Sequence, residues 1–530
     1  MKKQDIKIYH YILSLMMFIG LTSCVNDLNV TPIDPSTIQT FNQDQVFAKV
    51  YASWALTGQQ GAAGNSDVTT PDEGRFSLTR SLWNCSELCT DEALCQWGDA
   101  EVIDMNKNSW TASNASVQAV YARLYFIITI SNSFLDQTSG KTDDPTIKQR
   151  AEVRFLRALS YSYLIDLYGN VPFATSITAE SPKQISRANL FNWIVTELKS
   201  IEGDMYDLKQ APYYRVDKAA NWLLLSRLYL NAKVYTGTAK WDSAAIYANK
   251  LIVDQTSYKL ASKYKYLFMA DNAGAIDGST LNDAPNEIIF PIAADSVQTT
   301  NWGSSIFLIC STRSSDMPAW GLSASGWEGN RARATLLNKF FPSGNVPSAD
   351  TLVTAAGDDR ALFYSTNRTH VITKTSDFKQ GISVIKYSNV RSDGKYIHHS
   401  GFPDMDIPFM RKAEAYLNYA EAIARGAAPI GGLTALDAIN TLRTRAHVTT
   451  LTSLSLDVIL DEWAREFYFE GHRRSDLIRF GYFGGQSDYN WDWKAGVSAG
   501  TVFDSHYNLM PIPADDMNAN VNLIQNQGYN

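Results

Sequence analysis

The chain has 530 residues, a formal net charge of −7 at neutral pH and 45% hydrophobic residues. This length allows several domains or one large helical unit with a big insertion, and the apolar content is ample for a core. The negative charge argues against nucleic acid as a partner, because no basic face is available to neutralise phosphates.

The N-terminus predicts export and anchoring. Three early lysines precede an apolar stretch at residues 9–21, which leads into Thr22, Ser23 and Cys24. This order is typical of a bacterial lipoprotein signal, although an ordinary secretory signal with an incidental cysteine has the same outline. We therefore expect a signal peptide at 1–23, lipidation of Cys24 and a polar tether at 24–40. Such a terminus would anchor the protein to a membrane without spanning it.

Apolar residues at helical spacing predict helices at about 44–56, 116–135 and 186–201, and a central helix over 150–168. The central helix is apolar almost all round, which places it in the core between other helices. Gly169 suits a left-handed cap at its end. Its charged residues need partners, because an unpaired buried charge is costly. They are Glu152, Arg154, Arg157 and Asp166.

Two pairs of helices follow further along the chain, at 217–232 with 242–253 and at 413–424 with 433–446. Asp217 and Asp242 are the expected N-terminal caps of the first pair. Alanines alternate with large aromatic residues along these segments, which allows close antiparallel packing of the tetratricopeptide type.

Helical periodicity fades between the two pairs, at about 255–408, where short runs such as 287–290 and 382–385 have β character. A loop region this long inside a compact protein is usually functional. The predicted fold is therefore mainly α, a single domain over 41–530. Its tetratricopeptide-like scaffold of helical hairpins spans about 41–254 and 409–483, and the irregular insertion with short strands forms the ligand-binding face.

The last strong element is 456–483. Its acidic residues lie four apart along one helix face, and arginines follow shortly after them. Like charges on one face destabilise a helix unless cations answer them, so we expect Glu466 and Glu470 to pair with the arginines that follow. Those arginines are Arg473, Arg474 and Arg479.

Four cysteines lie in the body of the chain, Cys85, Cys89, Cys95 and Cys310. Export allows a disulfide among the first three, which are clustered. A metal site formed by these three cysteines is the more specific alternative to a disulfide, but no histidine lies among them and their spacing fits no zinc pattern. Free or paired structural thiols are the default expectation.

Taken in order, these segments resemble the SusD/RagB family of outer-membrane lipoproteins, which capture nutrients beside a transporter. The resemblance rests on the lipoprotein signal, the central helix, the segment 217–220 and the element 456–483. Several loops also match the founding starch-binding member, at 72–74, 268–272, 356–360 and 387–395. The resemblance implies a cell-surface glycan-binding protein, not an enzyme. It would sit as a lid on a SusC-like TonB-dependent transporter in the outer membrane.

The chemistry of sugars agrees with that implication. A glycan presents apolar C–H faces and a rim of hydroxyls, so its site needs exposed aromatic faces and planar hydrogen-bonding groups. By resemblance, the glycan-binding residues are Asp72, Arg80, Trp97, Trp302 and Trp327. Further tryptophans lie in predicted loops, namely Trp83, Trp110 and Trp320. Each tryptophan has a plainer alternative as a core residue.

The chain departs from the family pattern at three contact positions, and at one of them, around Asp99 and Ala100, an asparagine contact is absent or displaced by one residue. Trp302 replaces a tyrosine and keeps a stacking face, whereas an aromatic face is lost at Cys95. Losing one face should weaken selection for the curved α-1,4-glucan helix. Starch-type malto-oligosaccharides and an α-1,6-linked dextran therefore both stay open as ligands.

Two other classes of function, peptide binding and glycoside hydrolysis, would require different residues. A peptide-binding relative would need charge-reading or backbone-pairing groups in place of tryptophan faces. A glycosidase would need two carboxylates across the glycosidic bond, and no such pair or catalytic motif is recognisable.

The acidic stretch 271–287 could hold Ca²⁺ through Asp271, Asn286 and Glu287, because a hard cation prefers oxygen ligands. A solvated loop is the alternative for this stretch, and no cofactor is required by the expected function.

Overall fold

Most of the regular secondary structure is helical, and many long helices pack against the long helix that follows them in the chain. The computed structural model describes residues 41–70, 72–274, 282–395 and 401–529, so the predicted signal, Cys24 and the tether lie outside the described residues. The helices within these ranges are α1 (Gln43–Ala55), α2 (Leu78–Trp83), α3 (Ala100–Lys107), α4 (Ala115–Gln137), α5 (Asp144–Leu167), α6 (Arg187–Ile201), α7 (Lys218–Leu230), α8 (Ala232–Thr236), α9 (Trp241–Val253), α10 (Ser305–Cys310), α11 (Ala334–Phe340), α12 (Val353–Ala356), α13 (Ala413–Ala424), α14 (Ala435–Arg445), α15 (Leu456–Phe467), α16 (Arg473–Phe480) and α17 (Ala514–Ala519).

Strands are short and form four antiparallel pairs. They are β1 (Ala93–Cys95) with β5 (Asn330–Ala332), β2 (Val171–Pro172) with β3 (Gln184–Ile185), β4 (Ile288–Ile292) with β8 (Ile407–Arg411), and β6 (Phe363–Tyr364) with β7 (Ser383–Val384).

The structure divides the chain after Val46. Of the first unit only residues 41–46 are described, and they include the first residues of α1. The second unit begins at Phe47 and holds all the features discussed below. None of the described helices combines the length and the low charge needed to cross a bilayer.

The central helix is α5, and it is buried on nearly every side, as its apolar circumference predicts. It begins at Asp144, earlier than expected, because Asp143 caps it by accepting a hydrogen bond from the Thr146 amide at 3.0 Å. It ends at Leu167, and Gly169 follows at φ +75°, the left-handed conformation that glycine tolerates best.

The charges of α5 do find partners, which confirms that expectation. Glu152 accepts from Arg215 at 2.5 Å and from the Tyr51 hydroxyl at 2.6 Å. Arg154 and Arg157 both pair with Glu197, and Asp166 lies 3.4 Å from Arg474. Neighbouring segments, two helices and the loop before α7, therefore neutralise the charges of the buried helix.

The tetratricopeptide-like packing is present in the second half of the helical scaffold. Helix α7 packs on α9, α9 packs on α13, and α13 packs on α14. The Ser226 hydroxyl donates to the Ala244 carbonyl at 2.9 Å, which shows how closely the first two helices approach. Asp217 caps α7 as expected. Asp242 is not the cap of α9, because that helix begins one residue earlier and Lys240 occupies the cap position.

The insertion at 255–408 is tied to the scaffold through strands. The predicted β runs are present as β4 and β7, and β4 pairs with β8 at the return to the helical scaffold. Strand β5 pairs with β1, which lies far earlier in the chain. The insertion also contains three short helices, α10 to α12, which the sequence pattern did not predict.

The predicted element 456–483 is two helices, α15 and α16, with a break between them. Phe469 at φ +64° and Gly471 at φ +85° turn the chain there. Because of this break, the arginines that follow do not reach the acidic face of α15, and the expected pairing is wrong. Glu466 pairs with Arg411 and Arg445, and Glu470 pairs with Arg411 and Lys386. The arginines of α16 bind other carboxylates: Arg473 binds Asp91, Arg474 binds Asp166, and Arg479 binds Glu421 and Asp476.

Candidate functional site

The β1–β5 ladder brings two of the predicted tryptophans together. Cys95 of β1 pairs with Asn330 of β5, so the residues just after β1 lie beside the residues just before β5. The Trp97 indole donates from Nε1 to the Trp327 carbonyl at 3.0 Å. Gly329 lies directly against the Trp97 ring, where a Cβ atom would come within 2.4 Å of it. Any larger residue at position 329 would displace the indole.

Arg80 lies on the Trp97 ring. It is part of α2, a short helix that Ser77 caps by accepting from the Arg80 amide at 3.3 Å. The Arg80 guanidinium lies 4.8 Å from the centroid of Trp97 and 5.1 Å from that of Phe307. Its Nε is buried and has no hydrogen-bond partner among the described residues. Burial lowers the pKa of Arg80 from its ordinary value.

Phe307 is a residue of the site that the sequence analysis missed. It lies on α10, is itself fully buried, and its ring centroid is 6.4 Å from that of Trp97. The Phe307 ring therefore packs against both Arg80 and Trp97. Its apolar neighbours in α10 look like ordinary core residues, so no signal in the sequence distinguishes it.

Trp302 is the exposed member of the group, with 45% of its surface accessible. Its ring packs against Phe402 with centroids 4.6 Å apart, and its Cβ leaves no room for a side chain at Gly74. The Ser77 hydroxyl donates to the Gly303 carbonyl at 2.9 Å. The segment around Trp302 therefore lies directly on the loop that leads into α2.

Asp72 lies on that same loop and is exposed. One of its carboxylate oxygens accepts from the Arg75 amide at 2.8 Å, which closes a turn. The Arg75 side chain pairs with Asp99 and Glu101, which begin the segment after Trp97. These contacts join the two loops that hold Asp72 and Trp97.

We call Arg80, Trp97, Trp302 and Trp327 the aromatic platform. In the structure Trp97 contacts both the Arg80 guanidinium and the backbone carbonyl of Trp327, and Trp302 and Asp72 lie on one loop system with Arg80. Indole faces beside a planar cation and a carboxylate can stack on apolar C–H faces and bond to hydroxyls. This combination of groups is chemically suited to a sugar.

The other three tryptophans are core residues, which was the expected alternative to a role in ligand binding. Trp83, Trp110 and Trp320 are 4%, 1% and 8% exposed. The Trp83 indole donates to the Phe469 carbonyl at 3.1 Å, and that of Trp110 donates to the Tyr529 hydroxyl at 2.9 Å.

The cysteines of the described chain are all free and buried, so the clustered three do not form a disulfide. Cys95 is 2% exposed within β1, and burial raises the pKa of its thiol to about 12. A thiol of this kind is unreactive at neutral pH.

The three predicted calcium ligands make other contacts. Asp271 accepts from Ser392 and Asn282, Asn286 accepts from Lys209, and Glu287 pairs with Arg411 and Arg445. Across the described ranges there is no group of three such side chains placed to hold a metal ion. These contacts argue against the site, and calcium stays a prediction.

The chain matches a family of carbohydrate-binding proteins. Residues 319–529 match the model of the SusD family, and residues 66–230 match a model described as starch-binding associating with outer membrane. The starch-binding protein SusD of Bacteroides thetaiotaomicron is 44% identical over 96% of both chains. A SusD-like protein of Bacteroides ovatus is 21% identical over 82% of this chain and 80% of its own length. The chain belongs to the SusD family, a family of carbohydrate-binding proteins rather than enzymes.

Solved structures confirm the fold. Surface glycan-binding protein A from Bacteroides thetaiotaomicron, in complex with laminarihexaose, has a TM-score of 0.66 at 18% identity and covers 91% of this chain and 98% of its own. The protein of the same name from Bacteroides fluxus has a TM-score of 0.67 at 20% identity, with 92% and 100% covered.

Proposed function

We propose that this protein captures an α-glucan of the starch or dextran type at the cell surface and passes it to a TonB-dependent transporter. The observation that carries the proposal is the aromatic platform. The Trp97 indole is held in place by its hydrogen bond to the Trp327 carbonyl and by Arg80, whose guanidinium lies against the rings of Trp97 and Phe307.

The polar groups beside the platform suit hydroxyls better than charges. Arg80 makes no ion pair with any described carboxylate, and its terminal Nη atoms, unlike the buried Nε, can donate to an acceptor on a ligand. Asp72 is exposed and can accept from a hydroxyl beside it. A neutral glycan supplies both the acceptor and the donor, together with the C–H face that stacks on an indole.

The relatives support an α-glucan as the ligand. The relative that is 44% identical over nearly the whole chain is named as a starch-binding protein. A fold neighbour named as a glycan-binding protein was solved with laminarihexaose, a β-glucan, and at 18% identity its ligand carries no weight for this chain. The loss of an aromatic face at Cys95 keeps a dextran beside starch as a candidate.

Titration calorimetry on the purified protein tests this proposal. Maltoheptaose, an α-1,6-linked isomalto-oligosaccharide and laminarihexaose are compared on the natural chain, on Trp97→Ala and on Trp302→Ala. Trp222→Ala is the matched control, because Trp222 is half-buried on α7 and bonds to Glu202 outside the platform. We expect one α-glucan to bind, both platform variants to lose it and the control to keep it. Preference for laminarihexaose, or for an oligopeptide titrated alongside the glycans, would overturn the α-glucan assignment.

The anchoring and the delivery step rest on the lipoprotein signal and on the family. We expect Cys24→Ala to release the protein from the membrane fraction of the producing cells. We also expect the natural protein, gently extracted, to copurify with a TonB-dependent transporter. A Cys24→Ala protein that stays in the membrane fraction would argue against the lipid anchor.

A further inference from the structure

A second cleft lies between α11, α15 and the chain that follows α16, and it shares no residue with the aromatic platform. Its volume is about 640 Å³. One wall is built by α15 and the other by the C-terminal part of α11, while the segment 482–490 closes one side. A cleft of this size falls within the range of small-molecule sites in proteins.

Two stacked tyrosines line this cleft. The rings of Tyr482 and Tyr489 are nearly parallel, at 14°, with centroids 4.9 Å apart. The Tyr482 hydroxyl donates to Asp457 at 2.9 Å, and the Tyr489 hydroxyl donates to Asp91 at 2.5 Å. Both rings are therefore held in fixed orientations. Because Tyr482 is only partly buried, it offers a rigid aromatic surface to the cleft.

The charged groups of the cleft are mostly paired, and some of its polar groups are free. Lys339 pairs with Asp461 at 2.7 Å, and Arg465 pairs with Glu462 at 2.8 Å. By contrast, the exposed side chains of Asn338 and Asp488 make no hydrogen bond or ion pair with any other described residue. The Asn338 amide and the Asp488 carboxylate, which line the cleft beside Tyr482, can therefore bond to a ligand there.

We propose that this cleft is a second glycan-binding site, which takes a short neutral segment of the same polysaccharide. An aromatic surface with a free carboxylate and a free amide beside it suits the C–H face and the hydroxyls of a sugar. The unpaired carboxylate of Asp488 disfavours an acidic sugar, because like charges repel. The inference rests on glycan binding as the function of this chain.

A second site matters for a polymeric ligand. For a polysaccharide long enough to reach both sites, binding at the platform would raise the effective concentration of sugar at the cleft, so a weak second site would raise the overall affinity. The cleft is therefore expected to bind a short oligosaccharide only weakly and to increase the retention of long chains.

Hydrogen–deuterium exchange of the purified protein can observe the two sites separately. Maltoheptaose is titrated into the millimolar range, and protection is followed in the segments 72–97 and 300–310 for the platform. The segments 334–342 and 482–490 report on the cleft. The series is repeated on Tyr482→Ala, Tyr482→Phe, Asp488→Ala and the double variant Trp97→Ala/Trp302→Ala, with isomaltoheptaose and laminarihexaose as further probes.

We expect saturable protection of the cleft segments that persists in the platform double variant. Tyr482→Ala should weaken it about tenfold, and Asp488→Ala should weaken it about threefold. Tyr482→Phe keeps the ring and should retain most of the protection, which separates stacking from a folding defect.

Protection of the platform without protection of the cleft, by any of the three probes, would overturn the second site and leave the proposed function intact. Cleft protection that Tyr482→Ala does not reduce would also overturn it. If the cleft is protected while the platform is not, the second site stands and the assigned platform fails. If no probe protects either region, both proposals fall.

Discussion

The aromatic platform and the buried ion network of Arg411, Glu287, Glu466 and Glu470 both contain an arginine, but the two arginines make different contacts. In the network, Arg411 is fully buried and donates to Glu466 at 2.7 Å, to Glu470 at 2.7 Å and to Glu287 at 3.1 Å. In the platform, Arg80 lies on aromatic rings, and its Nε has no partner in the described chain. The complete pairing of Arg411 stabilises the fold, whereas the guanidinium of Arg80 keeps hydrogen-bonding capacity for a ligand.

The largest effect is expected from Arg411→Met. The substitution leaves three buried carboxylates short of a cation, so it should lower the free energy of unfolding by about 3–5 kcal/mol. Urea denaturation followed by circular dichroism measures the loss. The control is Lys218→Ala, which removes the surface pair with Asp207 and should change the stability far less, because solvent screens that pair. Equal losses in the two variants would contradict the structural role of the network.

Acid should weaken the network before it affects the platform. Burial acts to raise the pKa of Glu466, but Arg445, Arg411 and Arg360 outweigh it and hold that pKa well below its ordinary value. The carboxylate therefore stabilises the fold at neutral pH, and this contribution is lost as the pH falls below about 4.3, its unfolded pKa. We expect a loss on the order of 2 kcal/mol from this group by the lowest pH at which the protein stays folded.

Denaturation curves between pH 7 and pH 3 measure that loss, and Glu466→Gln is the comparison, since it should flatten the pH dependence. Glycan affinity measured at pH 7 and pH 5 should be equal, because Arg80 stays charged throughout this range. A fall in affinity at pH 5 with unchanged stability would show that a group at the platform titrates there.

Trp97→Ala should cost binding rather than stability. Removing the central ring of the platform is expected to weaken α-glucan binding by about 2 kcal/mol, roughly 30-fold. Trp97→Phe keeps an aromatic face but loses the hydrogen bond to the Trp327 carbonyl, so its affinity should lie between the two. Calorimetry measures the affinities. An unchanged affinity in Trp97→Ala would place the ligand elsewhere.

Arg80→Gln is expected to have the smallest effect, a loss of about 1 kcal/mol in glycan binding. The free energy of unfolding should change little, because no ion pair is broken. Arg80→Lys keeps the charge without the planar group and should not restore full affinity. If Arg80→Gln destabilises the protein as strongly as Arg411→Met does, the contrast between the two regions does not hold.

Much of the fold could be predicted from local pattern. The 3.6-residue period located the long helices, the cap Asp217 marked one helix start, and the apolar circumference of α5 indicated its burial. Resemblance to a family then selected a loop system whose tryptophans the structure brings together. These features depend on residues close in sequence or on long matching segments.

Contacts between distant residues were decided by the tertiary structure alone. The cations that answer Glu466 and Glu470 come from Arg411, Arg445 and Lys386 rather than from the next helix, because the chain turns at Phe469. Phe307 supports Arg80 only because α10 packs beneath it. A periodic pattern shows which face of a helix is buried, but packing chooses the partner on that face, and the same sequence letters fit either outcome.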